Sequence, residues 1–85
     1  MNYRLLIVED SSDTVVELKE FFEDHSFDVA VAQDGASFRE AYGPGKFDLI
    51  IMDLTLPGED GFHLTQLVRR ESDVPIIMLT GRSDV

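Results

Sequence analysis

The sequence predicts an α/β domain built on a parallel sheet with helices on its faces. Three observations predict it. Four short apolar runs, Leu5–Val8, Phe27–Ala32, Leu49–Met52 and Pro75–Leu79, have the length of strands. The stretches between them carry helical periodicity. The resulting order, β-α-β-α-β-α-β, is the alternation that returns successive strands in parallel through helical crossovers.

Each element has its own signal. The Leu5–Val8 run is apolar on both faces, as a central parallel strand is. A helix follows, with Val15, Leu18 and Phe22 on one side and Glu17, Lys19, Glu20 and Glu23 on the other. Ser11, Ser12 and Asp13 offer N-cap oxygens before it. In the second strand Phe27, Val29 and Val31 alternate with Asp28, Ala30 and Ala32, the pattern of a half-covered edge strand. The second helix spans Ala36 to Tyr42, between Asp34-Gly35 and the breaker Gly43-Pro44-Gly45. Leu49–Met52 reads as another central strand. Leu56-Pro57-Gly58-Glu59-Asp60-Gly61 is a loop by composition, and a third helix runs from about Phe62 to Arg70 with Leu64, Leu67 and Val68 inward. The fourth strand is apolar on both faces, with Ile76, Ile77, Met78 and Leu79, and so wants a neighbour on each side.

Eighty-five residues make one domain, 1–85, with a modest core. Cysteine is absent, which excludes a disulfide scaffold and a thiolate metal site. The apolar runs are too short for a signal h-region or a membrane span, so a cytoplasmic location is expected and no membrane partner. Seven basic and seventeen acidic residues give a net charge of −10. Nucleic acid is therefore a poor direct partner, since phosphate contacts need clustered Lys and Arg. Cations and basic protein surfaces suit it better.

In a parallel open sheet, ligands bind beyond the carboxyl ends of the strands. There the first strand ends in Glu9-Asp10, the third in Asp53 and the fourth in Thr80-Gly81. Converging carboxylates raise one another's pKa unless a cation neutralises them. Oxygen-only ligands suit a hard cation, and Mg²⁺ needs few carboxylates. A carboxylate beside Mg²⁺ is competent to attack a phosphoryl group. The hydroxyl and N–H of Thr80-Gly81 are placed to bond that group. Taken singly, each element has a plain reading: Glu9-Asp10 as acids at a helix N-terminus, Asp53 as a turn cap, Thr80 as a strand-end hydroxyl. The conjunction at three strand ends carries the functional expectation.

Ile7-Val8-Glu9-Asp10, Asp53 to Gly61, and Pro75-Ile76-Ile77-Met78-Leu79-Thr80-Gly81-Arg82 resemble the receiver domain of two-component response regulators. So does Ala32-Gln33-Asp34-Gly35-Ala36 at the second helix. The resemblance covers the whole chain. It implies a flavodoxin-like fold with strand order 2-1-3-4. It implies that Asp53 accepts a phosphoryl group from a sensor histidine kinase or a small phosphodonor. Glu9, Asp10, Asp53 and the Thr55 backbone carbonyl would hold Mg²⁺, and Thr80 would be the switch hydroxyl. The Thr55 side chain would sit where the family tunes dephosphorylation. Such a domain is not an enzyme beyond its own phosphorylation and dephosphorylation. Leu-Thr-Gly-Arg resembles receivers joined to winged-helix DNA-binding domains, hence transcription regulation.

A complete receiver has five strands and five helices, whereas this sequence stops at Val85, after the fourth strand. The lysine that follows the fifth strand in the family is expected to lie outside this sequence, and neither Lys19 nor Lys46 is expected to replace it. Arg82 is expected in solvent. The two-sided fourth strand is expected to leave a hydrophobic edge at 74–79, and through it a homodimer or higher assembly. Three readings follow: a truncated phosphoacceptor receiver; a receiver-derived module that self-assembles through that edge without turning over phosphate; and a Mg²⁺-dependent phosphohydrolase. Aspartate-nucleophile phosphohydrolases often place an acid two residues after the nucleophile; Thr55 stands there and counts against the third. His25 and His63 lack metal-ligand partners. Met78, Phe21, Phe22 and Phe38 are expected to pack in the core, and Arg69-Arg70 is too small a patch for nucleic acid.

Overall fold

The structure, a computed structural model, describes residues 2–79. Strand β1 (Tyr3–Val8) leads to helix α1 (Ser12–Asp24), β2 (Phe27–Ala32), α2 (Gly35–Ala41) and β3 (Leu49–Asp53). Two short strands follow, β4 (Thr55–Leu56) and β5 (Glu59–Asp60), then α3 (Gly61–Arg69) and β6 (Ile76–Leu79). The main sheet is parallel, in the order β2-β1-β3-β6. This is the flavodoxin-like arrangement expected, with β6 as the fourth strand of the sheet.

The core has two layers because residues of a strand alternate faces. On one face, Leu6, Val8, Ile50 and Met52 meet Phe38 of α2 and Leu64 and Val68 of α3, all essentially without solvent contact. On the other, Leu5, Ile7 and Ile51 meet Val15, Leu18 and Phe22 of α1. β1 and β3 are buried on both faces and therefore read as unbroken apolar runs. The edge strand β2 is covered more fully than its alternation predicts. Phe27 and Val29 face the α1 layer, while the small side chains Ala30 and Ala32 let α2 lie close on the other face.

Each helix start is capped by a side-chain oxygen, as the sequence predicts for α1. Ser11 caps α1, its side chain accepting from the Thr14 N–H. Asp34 caps α2 in a reciprocal capping box with Ser37. Asp60 caps α3, accepting from the Phe62 N–H at 2.9 Å.

Three expectations need correction. The 55–60 segment is not wholly loop: Thr55 pairs with Asp60 and Leu56 with Glu59 across Pro57-Gly58. Gly58, at φ 68°, supplies the positive φ that a Pro-Gly corner of type II requires. Phe21 is not a core residue but 55% exposed, packed edge-on against Phe22 and tilted over His25. Successive helical residues point about 100° apart, so only one of the adjacent pair can face the sheet. Met78 is half-buried, not buried, because β6 hydrogen-bonds on one side only among the described residues, and Ile77 beside it is exposed.

Candidate acidic phosphoacceptor site

Register builds the site. Val8 of β1 pairs with Met52 of β3, so the next residues, Glu9 and Asp53, emerge side by side at the carboxyl edge. The strand order reverses between β1 and β3, with β2 on one flank and β3 on the other, which opens a crevice there. The Glu9 N–H donates to the Ala32 carbonyl at 3.0 Å, carrying the β1–β2 ladder to the rim. Asp10 follows and is exposed. One carboxylate oxygen from each of Glu9, Asp10 and Asp53 lies within 4.8 Å of the others.

Asp53 is 1% exposed. Its Oδ1 accepts from the Thr55 N–H and from the Thr55 hydroxyl, each at 3.0 Å. Its Oδ2 is buried with no hydrogen-bond partner among the described residues. A buried carboxylate oxygen left unpaired carries a substantial desolvation cost. Glu9 is also buried, its Oε2 accepting from the Ser11 N–H at 3.0 Å. Burial pushes the Glu9 carboxyl up to about 7, with the Asp53 charge adding to the rise and the Ser11 N–H opposing it.

These observations fit a hard divalent cation. The donors are all oxygens, three carboxylates converge, and one buried oxygen has no hydrogen-bond partner among the described residues. Thr55 lies at the same rim through its two bonds to Asp53, and its backbone carbonyl is the fourth ligand that the resemblance implies. Thr80 and Gly81, expected to bond the phosphoryl group, lie outside the described residues, as does Arg82. β6 does carry the chain to this edge: Leu79 pairs with Asp53, and its carbonyl accepts from the Leu54 N–H at 2.9 Å.

Two site features escaped sequence reasoning. Gly61 packs its bare Cα against the Asp53 carbonyl and the Leu54 Cα, where a Cβ would collide with backbone. The Asp-Gly at the entry to α3 was its only sequence signal. The Arg39–Glu59 ion pair, at 2.7 Å, joins α2 to the β4–β5 hairpin across 20 residues, and no local pattern announces it.

This arrangement matches known proteins along its whole length. The family model described as "Response regulator receiver domain" matches residues 5–85. The chain belongs to that family. It is 40% identical over 84 residues to the TorCAD operon transcriptional regulatory protein TorR of Escherichia coli K12, covering 99% of this chain and 36% of that protein. The chain thus spans about a third of the length of this relative. Among solved structures, the non-phosphorylated HemR receiver domain from Leptospira biflexa superposes with a TM-score of 0.91 at 32% identity, covering 99% of this chain and 68% of that one. The receiver domain of the sensor histidine kinase PA1611 from Pseudomonas aeruginosa PAO1 superposes at 0.83 with 29% identity, covering 96% and 70%. That structure has a magnesium ion coordinated in its active-site cleft.

Proposed function

We propose that this chain is a single phosphoacceptor domain of a two-component response regulator, phosphorylated on Asp53 with Mg²⁺ as cofactor. The observation that carries the proposal is the buried Asp53 carboxylate, one oxygen without a partner among the described residues, in a cluster with Glu9 and Asp10. An Asp53 oxygen attacks the phosphorus of a phosphohistidine. The P–N bond breaks, its electron pair returns to the imidazole, which takes up a proton, and an acyl phosphate forms on Asp53. Glu9, Asp10, Asp53 and the Thr55 carbonyl would hold Mg²⁺, which when bound supplies positive charge against the transferring oxygens. Thr80 and Gly81 are assigned the switch hydroxyl and an N–H to the phosphoryl group, by resemblance. Beyond its own phosphorylation and dephosphorylation the domain is not an enzyme.

The phosphodonor is a sensor histidine kinase, the setting cytoplasmic, and the output transcriptional, in keeping with the description of TorR. No described helix is long and apolar enough to cross a membrane. The segment itself makes no direct nucleic-acid contact, in keeping with its charge of −10. Incubation with acetyl phosphate and Mg²⁺ tests the central claim. Intact mass should rise by one phosphoryl group, lost again on hydroxylamine treatment. No gain in the wild type, or an equal gain in Asp53→Asn, refutes it.

A second reading has one observation in its favour. β6 offers an unpaired edge among the described residues, with Ile77 48% exposed beside it. An apolar strand edge recruits other chains, so the 85-residue chain in isolation is proposed to form homodimers or larger assemblies through β6.

A further inference from the structure

We infer that Arg39 and Glu59 are positioning residues for the acidic site: their ion pair holds the β4–β5 hairpin, and with it Thr55, in place beside Asp53. The inference rests on the phosphoacceptor reading and concerns how this chain prepares its site for the cation.

The polar ties of the hairpin lie within its own neighbourhood. Thr55 bonds Asp53, and Gly61 packs on the Asp53 backbone. Leu56 adds an apolar anchor in the core layer that includes Phe38 of α2, but it fixes no polar group at the rim. The ladder itself is two residue pairs long. Such a short hairpin is marginal without outside support.

Arg39 provides that support from a different part of the chain. Its Nη1 donates to Glu59 Oε1 at 2.7 Å, a charge-assisted contact at the short end of the range. The pair is seated in a slot. A Cβ on Gly35 would stand 2.5 Å from Glu59 Oε1, 2.8 Å from Glu59 Cγ and 3.1 Å from Arg39 Nη1. The missing side chain at Gly35 is what lets the Glu59 stem lie against the first turn of α2. The Glu59 carboxyl is held below its usual range by the Arg39 hydrogen bond, so the pair is charged throughout the neutral range.

The route from α2 to the acids is short. α2 begins at the Asp34 cap, directly after β2, and the last β2 residue, Ala32, accepts from the Glu9 N–H. Gln33 Nε2 donates to the Ser12 hydroxyl at 3.4 Å, next to the Ser11 cap. A closed circuit therefore surrounds the cluster: Glu9 to β2, β2 to α2, Arg39 to Glu59, and Glu59 through the hairpin to Thr55 and Asp53. The ion pair is the link in that circuit made by two surface side chains. An exposed pair contributes little to global stability, yet outer groups that fix the placement of ligands alter metal affinity.

The test uses the 85-residue chain, with Arg39→Gln, Glu59→Gln, and the exchange Arg39→Glu with Glu59→Arg. Mg²⁺ titration followed by amide resonances of Glu9, Asp10 and Asp53 reads affinity. Amide exchange at Thr55 without cation reads hairpin order, and thermal melting reads stability. Each single variant should bind Mg²⁺ about five- to tenfold more weakly, at the low end for outer-group substitutions. Thr55 exchange should be at least about threefold faster, with the melting temperature moved by less than about 4 °C. The exchanged pair should recover affinity to within about twofold of wild type. Single variants that bind like a wild type that does bind overturn this inference alone. Failure of the exchange to restore affinity, or unchanged Thr55 exchange, overturns it too. A wild type whose resonances do not respond to Mg²⁺ overturns the cation reading and this inference together.

Discussion

Glu9→Gln should make the cation-free protein more stable at pH 8 and no more stable at pH 4, because the native fold holds the Glu9 carboxyl near pKa 7. The sign follows from proton counting. An unfolded glutamate titrates near 4.5, and the folded one near 7. Between those values the native state binds more protons than the unfolded state, so stability falls as pH rises across the window. Below 4.5 both states are protonated and no loss has occurred; above about 7 the loss is complete. At roughly 1.4 kcal/mol per pKa unit the gap corresponds to about 3 kcal/mol as an upper bound. Water at the rim, where Asp10 is exposed, screens the interaction and leaves about 2 kcal/mol as the expected effect. For a domain of this size that is a rise of roughly 10 °C in melting temperature. The assay is urea or thermal unfolding followed by circular dichroism, from pH 4 to 8, with chelator present. Only the difference between wild type and variant is read, so carboxylates remote from the cluster cancel and the difference reports Glu9 together with its neighbours Asp10 and Asp53. The difference should be near zero at the acid end, grow through the window and level off above pH 7. Saturating Mg²⁺ should reduce or reverse it at pH 8, since ligand binding stabilises the native state of the chain that binds better. A difference that stays flat with pH would show that Glu9 is not held protonated by burial beside Asp53.

The remaining predictions are shorter. Gly61→Ala drives a Cβ into the Asp53 carbonyl and the Leu54 Cα, both backbone; a loss of about 2–3 kcal/mol is expected in chemical denaturation, as for overpacked sites, and a loss under about 0.5 kcal/mol would contradict the packing. The isolated 85-residue chain should show a concentration-dependent mass in light scattering, and Ile77→Lys, which puts a charge beside the β6 edge, should shift it toward monomer; a monomer at every concentration tested counts against edge pairing.

The fold and the centre of the site were legible because both follow from strand placement. Runs such as Leu5–Val8 and Leu49–Met52 are apolar on both faces because β1 and β3 are buried on both. Once those strands are located, Glu9, Asp10 and Asp53 must fall at their carboxyl ends. What stayed hidden depends on contacts with no local period. Strands β4 and β5 are two residues each, too short for alternation to register. Phe21 and Phe22 are equally apolar, and only the seating of α1 on the sheet decides which one packs against the core. The Arg39–Glu59 pair joins flexible side chains 20 positions apart. The half-buried state of Met78 depends on what lies beside β6 rather than on its composition.

The acid cluster is a local cost that the surrounding fold is arranged to bear. Leu5 to Val8, Ile50 and Met52 are fully excluded from solvent, and they hold the strand ends rigidly whether or not the carboxylates repel. Burial of Asp53 and Glu9 raises the cost of their charge. The same burial lowers the local dielectric and so strengthens attraction to any cation placed among them. Exposed carboxylates at the same spacing would be screened by water, and would hold a divalent ion weakly for that reason. A lower stability without cation and a stronger attraction for one would thus have one origin, the depth at which the ends of β1 and β3 lie. It follows that substitutions relieving the repulsion, as Glu9→Gln does, should gain stability and lose cation affinity together.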